Sequence, residues 1–254
     1  MKKIYKFLKL IWEGKSISDK VLISFYLIKN SFTKNLKINN KLRIKNKYGE
    51  YICGETFDEV WIASSFHEPH VYKELIKKEF DIFIDVGANI GRHGISYAKT
   101  YPLSKIFCFE AEQKNFNILR KNIKINNLNN TIPVFKAVSE RNGFVNFYVA
   151  PFSGGGHSLN RKIGRETKIR SISLDGFFKK DKGFFKKKIL VKIDVEGAEI
   201  KVLTGMKKMI SRNMLKIVFE SHNKDHLLEI KKFLDEFGYK IKRIGKIDYV
   251  AEKN

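Results

Sequence analysis

Residues 81–99 read DIFIDVGANIGRHGISYAK. The apolar run around Asp85 predicts a buried strand. Two glycines then bracket Asn89, and GRHGISYAKTY predicts a helix that starts at the glycine turn. A strand feeding a glycine turn and a helix is the opening unit of a doubly wound sheet, whose ligand sits beyond the carboxyl ends of the strands. What that turn can accept is the question the rest of the chain answers.

Outward from this unit the alternation continues. KIFCFEA is a second buried strand, and EQKNFNILRKNIKINN is a helix with Phe116, Leu119 and Ile123 at helical spacing. TIPVFKAVS reads as a third strand, KKILVKIDV as a fourth and AEIKVLTGMKKMI as its helix. LKIVFES is a fifth strand and KDHLLEIKKFLDEF a further helix, while GFVNFYVA and TKIRSISLDGF alternate with period two, as a hairpin-like insertion around PFSGGGHS. Near-continuous apolar strands between helices imply a mostly parallel sheet covered on both faces. The closing GYKIKRIGKIDYVAEK joins its two strands too tightly for a crossover, so the last strand runs antiparallel. An all-parallel dehydrogenase sheet does not end this way; the methyltransferase version does.

The turn itself narrows the ligand. Gly87 and Gly91 flank Asn89, but the third glycine of a dinucleotide turn is replaced by Arg92, and no phosphate-binding G-x-x-x-x-G-K-[ST] occurs. The turn suits a ligand without phosphate, and S-adenosylmethionine fits. Glu110 closes the second strand 23 residues after Gly87 (110 − 87), where an acidic side chain accepts ribose hydroxyls. Asp85, Gly87, Asn89, Gly91 and Glu110 are therefore the candidate cofactor residues, with Ala137, Val138 and Ser139 at the third strand's end beside the adenine.

At this point IDVGANIG, FCFEAEQKNFNILRKNI, SISLDGFF, ILVKIDVEGAEIKVLTG and IVFESH resemble the FkbM family of methyltransferases. The resemblance covers residues 80–254. It implies an α/β, Rossmann-like class I methyltransferase fold, a mostly parallel seven-stranded sheet with an antiparallel last strand. It also implies transfer of a methyl group from S-adenosylmethionine to a hydroxyl of a sugar or glycan, a glycolipid or a secondary metabolite, and marks the acidic VKIDVEGAE as the active-site signature.

In that signature Lys192, Asp194 and Glu196 share one face if the strand stays extended. They can position the acceptor, act as base, or hold a divalent ion such as Mg or Mn. Asp194 is also a cofactor candidate, and Glu199 reads equally as a helix cap. Glu220 and His222 share a face at the fifth strand's end. His222 is a base candidate by its ordinary titration range. Glu220 is a candidate acceptor contact and, with Asp194, a candidate metal ligand. His93, and His157 with Ser158 in the glycine-rich loop, are further acceptor candidates.

Residues 1–79 form a helical, then irregular, extension to the domain at 80–254. NKYGEYICGETFDEVW holds a small hairpin, and HEPHVYKELIKKEF a short helix near Pro69. Ile4, Phe7, Leu8, Ile11 and Trp12 recur at helical spacing between lysines, an amphipathic helix suited to an anionic membrane surface. No apolar run approaches the roughly 18 residues that span a bilayer. Fifty Lys and Arg against 27 Asp and Glu leave a net charge of +23, which attracts anions. RNA methylation is the rival activity, and a non-catalytic binding protein on the same fold the rival outside enzymes. The chain carries no RNA-binding module or Asn-Pro-Pro-Tyr type loop, which argues against nucleic acid. Cys53 and Cys108 lack CxxC partners, so no zinc site or disulfide framework is expected. The setting is cytoplasmic, with peripheral membrane contact.

Overall fold

The computed structural model describes residues 2–30, 42–54, 56–150, 164–181, 184 and 187–253. The chain opens with helices α1 (Lys2–Glu13) and α2 (Ile17–Asn30), then an antiparallel pair, β1 (Arg43–Asn46) and β2 (Gly49–Ile52), followed by α3 (Phe57–Ala63) and α4 (Pro69–Leu75). From β3 (Ile82–Val86) strand and helix alternate: α5 (Arg92–Thr100), β4 (Lys105–Glu110), α6 (Gln113–Ile125) and β5 (Thr131–Phe135). A small excursion follows, with β6 (Ala137–Val138), β7 (Gly143–Val149), β8 (Arg165–Ile172) and α7 (Leu174–Phe177). Then come β9 (Lys188–Ile193), α8 (Glu199–Thr204), α9 (Lys207–Arg212), β10 (Met214–Glu220), α10 (Lys224–Asp235), β11 (Tyr239–Arg243) and β12 (Asp248–Lys253).

Seven strands form the central sheet in the order β5–β4–β3–β9–β10–β12–β11. Those from β5 to β10 pair in parallel, and β12 slots antiparallel between β10 and β11. Alternation along β3 decides its two faces. Phe83 joins one apolar cluster with Ile95 and Leu119 of the first two crossover helices, whereas Ile82, Ile84 and Val86 join the other, with Val202, Ile210 and Ile230. The extension shares the first cluster: Leu10, Ile23, Leu42, Ile44, Tyr51 and Val60 are fully buried in it.

Two expected elements divide. TIPVFKAVS splits at Lys136, so that Ala137 and Val138 leave the large sheet and pair with β8, while β7 and β8 make the expected antiparallel hairpin. The helix after β9 breaks at Gly205, where a Cβ would stand 2.2 Å from the Ser139 carbonyl oxygen. That backbone contact, invisible in the local pattern, is why glycine stands at the break. Helix α1 is amphipathic as expected, and its apolar face is divided. Leu10 is buried and Phe7 and Ile11 pack on the core, but Ile4, Leu8 and Trp12 face solvent. The apolar residues of α1 still form one broad face, but only the edge with Phe7, Leu10 and Ile11 meets the core and the rest lies in solvent.

The extension is fastened by polar contacts as well as packing. The Asn122 side-chain amide of α6 accepts from the Ile52 amide at 2.7 Å and donates to the Ile52 carbonyl at 3.2 Å, imitating a strand neighbour for β2. Lys216 of β10 bonds Glu74 of α4 at 2.6 Å in a buried pair, and His70 Nε2 of α4 lies 2.7 Å from Asp248 of β12. These two contacts fix α4, and with it the loop just before Pro69, against the sheet.

Candidate active site

A cleft of about 210 Å³ opens beyond the carboxyl ends of β3, β4, β9 and β10. Its floor is the glycine turn. Gly87, Asn89 and Gly91 all have positive φ (82°, 51° and 91°). A Cβ on Gly87 would stand 1.8 Å from the Asp194 carbonyl oxygen. Glycine is needed there because the ends of β3 and β9 nearly touch, a packing demand distinct from room for a ligand. The amides are all engaged: Gly87 and Ala88 donate to the Phe109 carbonyl, Asn89 to Glu110, Ile90 to its neighbour's Asn89 Oδ1, and Gly91 to the Ala88 carbonyl. Phosphate turns work by leaving such amides free, so this turn is built for a ligand without phosphate.

Glu110 lies at the cleft wall, buried, with Oε2 accepting from Asn89 at 2.7 Å and Oε1 from Glu112 at 2.7 Å. Burial raises its pKa to about 7. Each carboxylate oxygen retains acceptor capacity for a hydroxyl, the donor set a ribose diol supplies. Ala137 and Val138 line the neighbouring wall with Phe147, Asn115 and Lys136. These residues fit an adenosyl group, and none of the last three is legible from motif spacing; Phe147 arrives by the β7–β8 excursion.

Three cofactor candidates lie behind the cleft wall. Asp85 is buried, its Oδ2 accepting from the Gly94 amide at 3.0 Å, and burial raises its pKa to about 6. It ties β3 to the first turn of α5. Gly91 caps α5 in a left-handed conformation beneath Leu119, and Ser139 is fully buried, bonded to Glu140.

The acidic signature leaves strand geometry earlier than expected. β9 ends at Ile193, and Glu196 takes a left-handed φ of 51° in the following turn, so the shared face of a continuing strand does not exist. Lys192, Asp194 and Glu196 line the cleft all the same. Lys192 Nζ donates to Asp194 Oδ2 at 2.9 Å. Burial opposes its charge, but the carboxylates of Asp194, Glu68, Asp85 and Glu220 hold its pKa above the ordinary lysine value. Glu199 is structural: Oε1 accepts from the Val195 and Gly197 amides at 3.3 and 3.1 Å, shaping the turn. Glu220 lines the cleft, and burial together with the Asp194 charge raises it to about 9. His222 stands outside the lining, a third exposed, with Nε2 3.5 Å from Glu196 and 3.6 Å from Glu220. His157 and Ser158 lie outside the described residues.

The fourth wall comes from the extension. Residues 64–68 link α3 to α4, and Glu68 caps α4 in a left-handed conformation (φ 41°) immediately before Pro69. Glu68 faces two imidazoles, His67 Nε2 at 3.1 Å and His93 Nε2 at 2.9 Å. Burial works against its charge, yet His67, the hydrogen bond from His93 and Lys192 together hold its carboxyl well below the usual range. Burial lowers both imidazoles, His93 to about 3, so they stay neutral. A neutral imidazole facing a carboxylate through Nε2 carries its proton there. His93 thus supports Glu68, and both imidazoles line the cleft. Sequence spacing singled out neither His67 nor Glu68. The SFHEPH stretch carries a histidine–carboxylate pair before a helix-starting proline, but nothing local aims it at a site 20 or more residues away.

Glu68, Asp194 and Glu220 offer oxygens within 4.8 Å of one another, as do the nitrogens and oxygen of His67, His93 and Glu68. Either set is compact enough for a cation. Arg92, which stands where a dinucleotide turn has its third glycine, welds the wall. Its guanidinium carbon stacks 3.8 Å from the Tyr48 ring centre, and Nε lies 3.5 Å from the Ser64 carbonyl oxygen.

A family model described as the methyltransferase FkbM domain matches residues 85–241, and the chain belongs to that family. The hexuronic acid methyltransferase AglP of Haloferax volcanii is 26% identical over 192 residues, covering 74% of this chain and 77% of the relative. Methyltransferase sdnD of Sordaria araneosa is 25% identical over 226 residues, 72% of this chain and 86% of the relative. Ribosomal RNA small subunit methyltransferase G of Prochlorococcus marinus is 29% identical over 103 residues, 40% of either chain. The chain is an S-adenosylmethionine-dependent methyltransferase, with the strand order and the antiparallel β12 that the class I sheet requires.

Proposed function

We propose that the enzyme methylates a hydroxyl group of a sugar, with His67 as the general base and Glu68 as the residue that positions it. The observation that carries the reading is the Glu68 carboxylate facing His67 and His93 in the cleft that holds Glu110. Bound S-adenosylmethionine supplies an electrophilic methyl group. Glu110 would accept its ribose hydroxyls, Ala137, Val138 and Phe147 would flank its adenine, and the turn at Gly87 and Asn89 would hold its amino-acid end. A hydroxyl is a poor nucleophile until its proton is removed. His67 Nδ1 takes that proton, and Glu68 holds Nε2–H and stabilises the imidazolium that forms. Lys192, Asp194, Glu196 and Glu220 orient the acceptor. His67, which lines the cleft, is preferred as base over His222 at the rim. The sugar is suggested by the hexuronic acid methyltransferase relative, which aligns over 77% of its own length.

Lys192 already places a cation among Asp194, Glu68 and Glu220, so the reading assigns no step to a divalent ion on Asp194 and Glu220. Turnover lost to EDTA and restored by Mg²⁺ or Mn²⁺ would put one there. The test of function is mass spectrometry of uronic acid glycosides, neutral glycosides and structured RNA after incubation with S-adenosylmethionine. Methylation on a sugar oxygen is expected. Base methylation of RNA with no transfer to any glycoside would replace the reading.

A further inference from the structure

Helices α1 and α2 each bury part of their surface and leave a strongly apolar part in solvent. Among the described residues, eight of the fourteen exposed large apolar side chains lie on these two helices. Ile4, Leu8 and Trp12 follow one another at four-residue steps along α1, and Val21, Phe25 and Ile28 at helical steps along α2; Trp12 is 72% exposed and Ile28 66%. Such repeats form stripes on one side of a helix. The helices pack together, and Lys20, the neighbour of Val21 on α2, sits 4.5 Å over the Trp12 ring of α1. Exposed apolar stripes on two packed neighbouring helices mark a contact site.

The charge around it has one sign. Residues 1–30 contain seven lysines and two acidic residues, Glu13 and Asp19. Both acids are buried and internally engaged: Glu13 accepts from the Ser65 amide at 3.0 Å, and Asp19 from the Ser16 and Arg43 amides at 3.0 and 3.1 Å. No helix among the described residues is long and apolar enough to cross a membrane. An exposed tryptophan and its apolar neighbours, on a stretch rich in lysine with both acids turned inward, match a bilayer surface of negative headgroups.

We infer that the α1–α2 face docks on an anionic membrane surface, with Ile4, Leu8, Trp12, Val21, Phe25 and Ile28 entering the headgroup layer and the lysines meeting lipid phosphates. The inference goes beyond the proposed acceptor and does not depend on it. It has a spatial consequence, since Phe66 packs edge-on to Tyr5 of α1 and immediately precedes His67 at the cleft wall. The docked face is thus one residue removed from the acceptor side, which suits an acceptor carried on a lipid.

The experiment uses the full chain, because α1 contributes Leu10 to the core and cannot be deleted without disturbing it. Flotation with phosphatidylcholine vesicles is compared with flotation on vesicles that also contain phosphatidylglycerol. Binding to the mixed vesicles only, weakened by salt, is expected, and Leu8→Glu with Phe25→Glu should reduce it at least tenfold while S-adenosylmethionine affinity and melting temperature hold. In parallel, Trp12 emission, read in a Trp61→Phe protein, should shift to the blue on mixed vesicles. The inference is overturned if the wild type does not float with mixed vesicles and Trp12 emission stays put, or if the double variant floats equally well. It is also overturned if light scattering finds a dimer that the double variant dissolves and vesicles do not displace, since a second copy would then cover the face.

Discussion

On the cofactor side the cleft is made by backbone, and on the acceptor side by side chains. The first is the turn from Gly87 to Gly91, every amide engaged and three residues held left-handed over a near contact of two strand ends. It lies between neighbouring elements of one sheet. The second is a carboxylate between two imidazoles, His67 and Glu68 from the loop before α4 and His93 from α5. Contacts between residues far apart in sequence hold α4 and the β1–β2 pair, and with them that wall, on the sheet. The comparison teaches that rigid cofactor placement needs local backbone geometry, whereas the proton-handling wall needs long-range packing. Damage to each should have its own signature.

The largest separation should come from the base. His67→Ala is expected to lower turnover ~10²–10⁴-fold with S-adenosylmethionine affinity unchanged by calorimetry. Equal loss of binding and turnover would erase the distinction between the two sides. Glu68→Gln should lower turnover less and move the acidic limb of the rate profile to lower pH, because the carboxylate that favours the imidazolium is gone. A purely structural role would leave that limb in place.

On the other side, Gly87→Ala places a methyl group against the Asp194 carbonyl at a left-handed φ. We expect a loss of about 3 kcal/mol or more in folding stability by urea titration; near-wild-type stability would show that the strand ends are free to part. Glu110→Ala should spare stability more and weaken S-adenosylmethionine binding by about 2–4 kcal/mol, the worth of two hydrogen bonds to a charged acceptor. Unchanged affinity removes Glu110 from the cofactor site.

The smallest effect concerns pH. Glu220 is raised to about 9 and Glu110 to about 7, both mainly by burial. A free glutamate titrates near 4.3, so between there and pH 9 the folded chain binds more protons than the unfolded one. Stability from these groups is therefore present at low pH and declines as pH rises through their folded values. Glu220→Gln should flatten the upper part of that decline in melting temperature; an unaltered slope would mean that Glu220 ionises freely in the cleft.

The sequence by itself determined the sheet, the antiparallel ending, the glycine turn and Glu110. Each rests on periodicity or spacing within one strand–helix unit, and such patterns are written locally. It also placed Lys192, Asp194, Glu196 and Glu220 at a common site, though not the early end of β9 that turns Glu196 left-handed. Tertiary structure decided what spacing cannot encode. It put Asp85, Gly91 and Ser139 behind the cleft wall and His222 at its rim, because whether a strand-end side chain meets the cleft or the core depends on the elements packed over it. It split the apolar face of α1 between core and solvent. Above all, it brought His67 and Glu68 to His93 through the buried pair Glu74–Lys216 and the contact His70–Asp248, whose partners are separated by 142 and 178 residues. Cooperation across such distances leaves no local period, since it is the folded core that brings the partners together.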